Sequence, residues 1–159
     1  MSRVNCMKRC SPLLLAATAL LAQAQPLKLH VPSPDWRDQI IYFVMTDRFA
    51  DGDLKNNDLG ANEYDPTRAD RFNGGDLKGL TQHLDYIRGI GATALWLTPP
   101  NRNQWVDPQL GYVGYHGYWA QHFRQVDPHL GTLADYQRLS HGLHSRGMYL
   151  VQDLSLIHI

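Results

Sequence analysis

The amino-acid sequence predicts an α/β fold of parallel strands joined by crossover helices, a (β/α) barrel or a doubly wound sheet, with only its first part present. Three observations carry this expectation. Apolar runs of strand length alternate with segments of helical period, in the order strand, helix, strand, helix, strand. The long connections follow the strands, at the end where both architectures bind ligands. The chain has 159 residues, whereas an eight-stranded barrel takes about 250.

Residues 1–24 stand apart from the rest. Arg3, Lys8 and Arg9 precede an apolar run over residues 13–21, and Ala22-Gln23-Ala24 offers the small-x-small pattern of a cleavage point. A run this short does not span a bilayer as a stable helix. The segment reads as a secretory signal peptide cut after Ala24, with an uncut membrane anchor as the rival. The expected location is secreted or periplasmic, with no membrane contact after cleavage. Both cysteines, Cys6 and Cys10, fall inside this leader, so the mature chain relies on packing instead of disulfides. Composition is that of an ordinary soluble protein, 43% hydrophobic with 15 basic against 15 acidic residues. Loss of the three leader cations leaves 12 basic against 15 acidic residues, and no nucleic-acid partner is implied.

Residues 25–38, with Pro26, Pro32 and Pro34, read as an extended lead-in. Ile40, Ile41, Tyr42, Phe43 and Val44 then form a strand expected to be buried on both faces. Residues 55–73 are charged and poor in apolar groups, the pattern of an irregular surface excursion. Asp76 caps a helix in which Leu77, Leu80, Leu84, Ile87 and Ile90 recur at steps of three and four, ending near Gly89 and Gly91. Residues 92–97, ATALWL, are a second buried strand before Thr98-Pro99-Pro100, which makes a right-handed parallel crossover. Residues 101–131 form a connection long enough to be functional or packed on itself. Thr132 opens another helix, with Leu133, Tyr136, Leu139 and Leu143 on its stripe and Gly147 beyond its end. Residues 148–151 are a third buried strand, leading to Asp153. Gly74-Gly75 lacks the G-x-G-x-x-G spacing, which counts against a nucleotide-binding sheet.

Two stretches carry candidate chemistry. After the first strand, Asp51, Asp53, Asn56 and Asn57 cluster around the turn at Gly52, and Phe72-Asn73-Gly74-Gly75-Asp76 adds backbone carbonyls and one more carboxylate. Calcium takes six to eight oxygens at about 2.3–2.6 Å, and two such segments can close on one ion. The spacing is not that of an EF-hand loop. The same residue types are ordinary turn formers, so a solvated turn stays open as the alternative. The second stretch, Gly111-Tyr112-Val113-Gly114-Tyr115-His116-Gly117-Tyr118-Trp119, sets flat rings among small residues. Such rings stack on the C–H faces of sugars, and they also bury area simply as packing. Both readings stand at this level.

Four motifs taken together resemble the α-amylase family, glycoside hydrolase family 13: Thr46-Asp47-Arg48-Phe49-Ala50-Asp51-Gly52-Asp53, Gly74-Gly75-Asp76-Leu77, Tyr115-His116-Gly117-Tyr118-Trp119, and Gly147-Met148-Tyr149-Leu150-Val151-Gln152-Asp153. The resemblance spans residues 35–153. It implies an incomplete (β/α)8 TIM-type barrel over residues 39–153, its first three strands and two helices, acting on an α-glucan or maltooligosaccharide with retention at the anomeric carbon. It also implies a structural calcium ion (Ca2+) bound by Asp51, Asp53, Asn56, Asn57, the Gly74 carbonyl and Asp76, as in the cyclodextrin glucanotransferase and related bacterial branches. The positions matching His116 and Tyr118 line the subsite where the sugar is attacked, the His hydrogen-bonding and the Tyr stacking. Trp119 is assigned to packing. Asp153 matches a supporting aspartate at the end of the third barrel strand. The family pattern continues to an Asn and a His; here Ile157 replaces the Asn, and His158 falls at the position of the substrate-binding His.

Residues 154–159, LSLIHI, carry no cap or polar tail, and their codons can spell the end sequence of a transposase adapter used in DNA library preparation. They read as a non-native read-through tail, in which case the match of His158 is accidental. The family's nucleophile and acid/base are carboxyl groups about 5–5.5 Å apart, and both are expected on strands beyond Asp153. Glu63, the one glutamate, lies in the excursion, so these residues alone are expected to be inactive. The parent enzyme would be a hydrolase or transglycosylase. A non-catalytic relative that keeps the barrel for binding is the rival, and a self-sufficient module is disfavoured because three strands leave open edges.

Overall fold

A computed structural model of the chain describes residues 33–154. The expected signal peptide, most of the lead-in, and the tail with Ile157 and His158 lie outside the described residues. Three parallel strands form the central sheet: β1 (Ile41–Val44), β2 (Ala94–Leu97) and β5 (Tyr149–Gln152), in the order β1-β2-β5. In register, Ile41 lies beside Ala94 and Ala94 beside Tyr149. Each of the sheet's connections carries helix: α1 (Leu77–Gln82) and α2 (Leu84–Gly89) between β1 and β2, and α3 (Leu133–Ser145) before β5. Among the described residues no helix is long and apolar enough to cross a membrane.

The helix stripes do what their spacing demands. Leu77, Leu80, Leu84 and Ile87 from α1 and α2, and Leu139 and Leu143 from α3, are fully buried against Val44, Leu95 and Leu97 of the sheet. Full burial of each such side chain is worth about 1.5–3 kcal/mol. Both helix starts are capped as expected: Asp76 Oδ1 accepts from Gly79 N at 2.6 Å, and Thr132 exchanges hydrogen bonds with Asp135 in a capping box.

Several expectations are corrected. The first helix is two short helices that meet at His83, whose ring Nδ1 lies 2.8 Å from the Gly79 carbonyl. That side chain occupies the acceptor that the His83 N–H would use in a continuous helix, so the N–H turns to Leu80 O instead, at 3.1 Å. Ile90 and Leu133, read as core positions, are exposed. The second face of the sheet is largely bare: Ile41 and Phe43 are each 47% exposed and Trp96 38%, although Ala94 on that face is buried, because the helices all pack on the face that carries Val44, Leu95 and Leu97. On the bare face Phe43 and Trp96 meet edge to face at 4.9 Å. The third strand runs Tyr149–Gln152 and is only partly buried.

The connection at residues 101–131 is more ordered than its composition suggests. It contains an antiparallel pair, β3 (Asn101–Asn103) and β4 (Ala120–Val126), with shifts in register between them. The excursion at residues 55–73 is no free surface loop either, since Glu63 and Phe72 within it are buried. Tyr64 and Phe72 pair there through an isolated bridge.

Candidate functional site

The carboxyl ends of the strands gather three groups of side chains. The first is the oxygen-rich corner. The chain leaves β1 through a short 3-10 turn (Thr46–Arg48) and doubles back so that Asp76 N bonds Ala50 O at 3.0 Å. Gly79 packs its Cα directly on the Ala50 carbonyl, where any Cβ would collide. Buried Asp47 fixes the turn by accepting from Asn73 N at 3.0 Å and Gly74 N at 3.2 Å. Burial pushes its carboxyl up to about 6, against the pull of those N–H groups and Arg48.

At this corner the two predicted segments meet. Asn57 Nδ2 donates to Asp51 Oδ2 at 2.6 Å, and Asn56 Nδ2 to Asp76 Oδ2 at 3.3 Å. Gly74, with φ +93°, lies so close that a Cβ would stand 2.8 Å from Asn57 Nδ2 and 2.9 Å from Asp51 Oδ2. Asp53 lies at the margin, its carboxylate 3.6 Å from the Lys78 ammonium. A cavity of about 210 Å³ opens beside Asp53, Asn56 and Asp76.

Whether this corner suits a metal can be judged from its donors. Among the described residues no three His, Cys, Asp or Glu side chains converge as a metal centre. The corner instead mixes carboxylates with amides, the donor set of a hard cation such as calcium. The amide oxygens of Asn56 and Asn57 are buried and without a hydrogen-bond partner, a costly state that a cation would relieve. Burial also pushes the Asp76 carboxyl above its ordinary value, so its charge is under-compensated. The residues fit such an ion, with Asp53 as the weakest member.

The second group is the aromatic loop. Gly117, at φ +82°, seats its backbone against Pro99 O and brings His116 and Tyr118 to one side, with ring centroids 5.7 Å apart and planes 23° apart. Tyr118 N donates to His116 Nδ1 at 2.9 Å. With Nδ1 accepting and burial pushing the imidazole below its ordinary value, His116 is neutral and carries its proton on Nε2, where it can donate. Tyr118 OH donates to Asp153 Oδ2 at 2.6 Å, just past β5, and this hydrogen bond, with burial, holds the phenol up at about 12. The three predicted residues are thus joined. Trp119 meets the His116 ring edge to face at 4.9 Å. A cleft of about 320 Å³ lies against Tyr112, Tyr115, His116 and Trp119, with Asp70 of the excursion on its rim.

The third group went unassigned in the sequence. Glu63, His129 and Asp127 are all buried, and the His129 ring bridges the two carboxylates: Nε2 to Glu63 Oε1 and Nδ1 to Asp127 Oδ1, each 3.0 Å. Phe72 stacks on the imidazole at 4.0 Å, and Trp105 closes its edge. Leu59 N and Ala61 N donate to Glu63, each at 2.6 Å, while Asn103 N and Trp105 Nε1 donate to Asp127. This cluster binds the excursion to the aromatic connection. No local pattern could reveal it, since Glu63 and His129 lie 66 residues apart. Asp47 and Arg48 did carry a signal, as members of the quoted Thr46–Asp53 motif.

A parallel sheet with crossover helices on one face, and with its polar and aromatic groups collected past the strand ends, defines the class of (β/α)-barrel proteins, here an incomplete (β/α)8 barrel. Comparison with known proteins narrows the class. The family model for the α-amylase catalytic domain matches residues 43–159. The chain therefore belongs to the α-amylase family, glycoside hydrolase family 13. It is 41% identical over 128 residues to a cyclomaltodextrin glucanotransferase of Klebsiella oxytoca, which covers 78% of this chain and 19% of that protein. It is 37% identical over 150 residues to an α-amylase of Saccharomycopsis fibuligera, covering 91% and 29%. Among solved structures, the Anoxybacillus α-amylase superposes with a TM-score of 0.64 at 42% identity, over 77% of this chain and 25% of that one. The chain thus spans 19% and 29% of the length of these two curated relatives.

Proposed function

We propose that the chain is the amino-terminal part of an exported, calcium-stabilised enzyme that hydrolyses or transglycosylates α-glucans with retention. The observation that carries this reading is the linked set His116, Tyr118 and Asp153, held at the strand ends beside an aromatic cleft. Tyr118 offers a ring face for a sugar, His116 an Nε2–H donor for a hydroxyl, and Asp153 holds the phenol in place. The family supports the substrate class: relatives include a periplasmic α-amylase of Escherichia coli, and one related structure is an α-amylase of Geobacillus thermoleovorans complexed with acarbose.

Calcium at the corner would be held by Asp51, Asp76, the amide oxygens of Asn56 and Asn57 and the Gly74 carbonyl, with Asp53 at the edge. Bound there, the ion would supply charge compensation and a fixed rim, and no chemistry of cleavage. The cleaving pair is assigned to strands that follow Asp153, since a retaining enzyme needs carboxyl groups about 5–5.5 Å apart across the sugar. Residues 1–159 alone are then inactive. The test is to express the gene extended past Asp153 and assay maltoheptaose and starch for reducing ends and for cyclic products. Turnover with retention supports the proposal. A folded, extended protein that binds maltoheptaose without turning it over indicates the non-catalytic alternative and overturns the enzyme reading.

A further inference from the structure

We propose that Arg48 is a positioning residue for the sugar site, its single guanidinium holding both the chain that enters the oxygen-rich corner and the ring that backs His116. This rests on the functional reading above and adds a residue to it.

The edge of the guanidinium is committed to the excursion. Nη2 donates to Ala69 O at 2.9 Å and Arg71 O at 2.7 Å, Nη1 donates to Asn73 Oδ1, and Nε lies 3.2 Å from Asp47 Oδ2. Asn73 immediately precedes Gly74, and its own amide ties back to Asp65 O and Arg68 O at 2.9 and 3.0 Å. The face of the guanidinium does different work, covering the Tyr115 ring with Cζ 3.9 Å from its centroid. Tyr115 in turn meets the His116 ring edge to face at 5.6 Å. One rigid, mostly buried plane thus spans the last turn before the corner and the first ring of the aromatic loop.

Only arginine can do both. Its donors lie in a planar fork, which leaves both faces free to stack, whereas a lysine ammonium is a point charge that cannot bond several carbonyls and cover a ring together. The consequence is specific. With the plane removed, Tyr115 loses its backing and the His116 ring loses one of its three aromatic neighbours, keeping Tyr118 and Trp119, so the ring is held less firmly, while the buried leucines of α1, α2 and α3 are expected to be unaffected.

The test uses the full-length enzyme with maltoheptaose as substrate, comparing wild type, Arg48→Lys, Tyr115→Leu and the double variant. Coupling relayed through packed side chains changes an equilibrium roughly two- to thirtyfold, so Arg48→Lys is expected to raise KM about tenfold with kcat changed far less. In the double variant KM should rise no further than in the worse single one, because both changes remove the same contact. An Arg48→Lys enzyme with wild-type KM, or two KM increases that multiply, overturns the proposal. So does a lowered melting temperature with fewer active molecules at unchanged KM, the signature of a merely structural arginine. If Arg48→Lys does not fold, Arg48→Gln is read by the same KM criterion, since Tyr115 itself lines the cleft. A wild-type enzyme with no turnover overturns the functional reading, and Arg48's role with it, a result distinct from failure of the variants in an active enzyme.

Discussion

Two buried polar clusters lie near the strand ends, and they differ in how fully their groups are satisfied. Around His129 both ring nitrogens face carboxylates, and backbone N–H groups complete Glu63 and Asp127. At the Asp51–Asp76 corner, by contrast, two amide oxygens are buried with no partner, and the Asp76 carboxyl is pushed up by burial. A polar cluster that closes on itself is a structural joint. One that leaves amide oxygens without a partner has room for a further ligand, and its mix of carboxylates and amides is the donor chemistry of a hard cation.

The comparison can be broken most severely at His129. Replacing it, as His129→Leu, leaves an oxygen of each of two buried carboxylates without its partner, and each such buried unsatisfied group costs about 1–3 kcal/mol, more when charged. Urea unfolding of the full-length protein should show a loss of this size; a loss below about 1 kcal/mol would mean the joint is dispensable. The corner should respond next most strongly, and to calcium alone. At calcium a hundredfold above its dissociation constant the stabilisation is about 2.7 kcal/mol, and the His129→Leu protein should keep that increment if it still folds. In calcium-free buffer, Asp76→Ala removes the α1 cap and should cost about 1 kcal/mol, read in the same unfolding experiment.

The smallest effect is the response to acid. Burial alone would raise the Glu63 carboxyl, but the N–H groups of Leu59 and Ala61 together with His129 hold it below its ordinary 4.5. A carboxyl depressed in the folded state contributes stability that is present above the unfolded value and is lost as pH falls through the folded one. Stability should therefore decline below about pH 4.5, and less steeply in Glu63→Gln. An equal slope in both proteins would remove Glu63 from the account.

Much of the frame could be read from spacing. The stripes at Leu77–Leu80–Leu84–Ile87 and Leu139–Leu143, the caps at Asp76 and Thr132, and the parallel strand order all follow from local patterns that the structure keeps. So did the meeting of the acidic turn with the Gly74–Asp76 corner, because both segments are anchored to the same strand end. What spacing could not show depends on distant partners. The break at His83 comes from a side chain competing for one carbonyl. β4 is polar and largely exposed, so it has no apolar alternation to announce it. The bare face of β1 and β2 reflects what packs there, and an apolar run reads alike whether one face is covered or two. The bond from Glu63 to His129 joins loops, which carry no period at all.

The central claim is that the corner seats a divalent cation that stiffens the rim of a sugar site. It is tested most directly by melting full-length wild type and Asp51→Ala with saturating calcium and after chelation. The account predicts that chelation lowers the melting temperature of the wild type and leaves Asp51→Ala nearly unchanged. No fall in the wild type, or an equal fall in both, would contradict it.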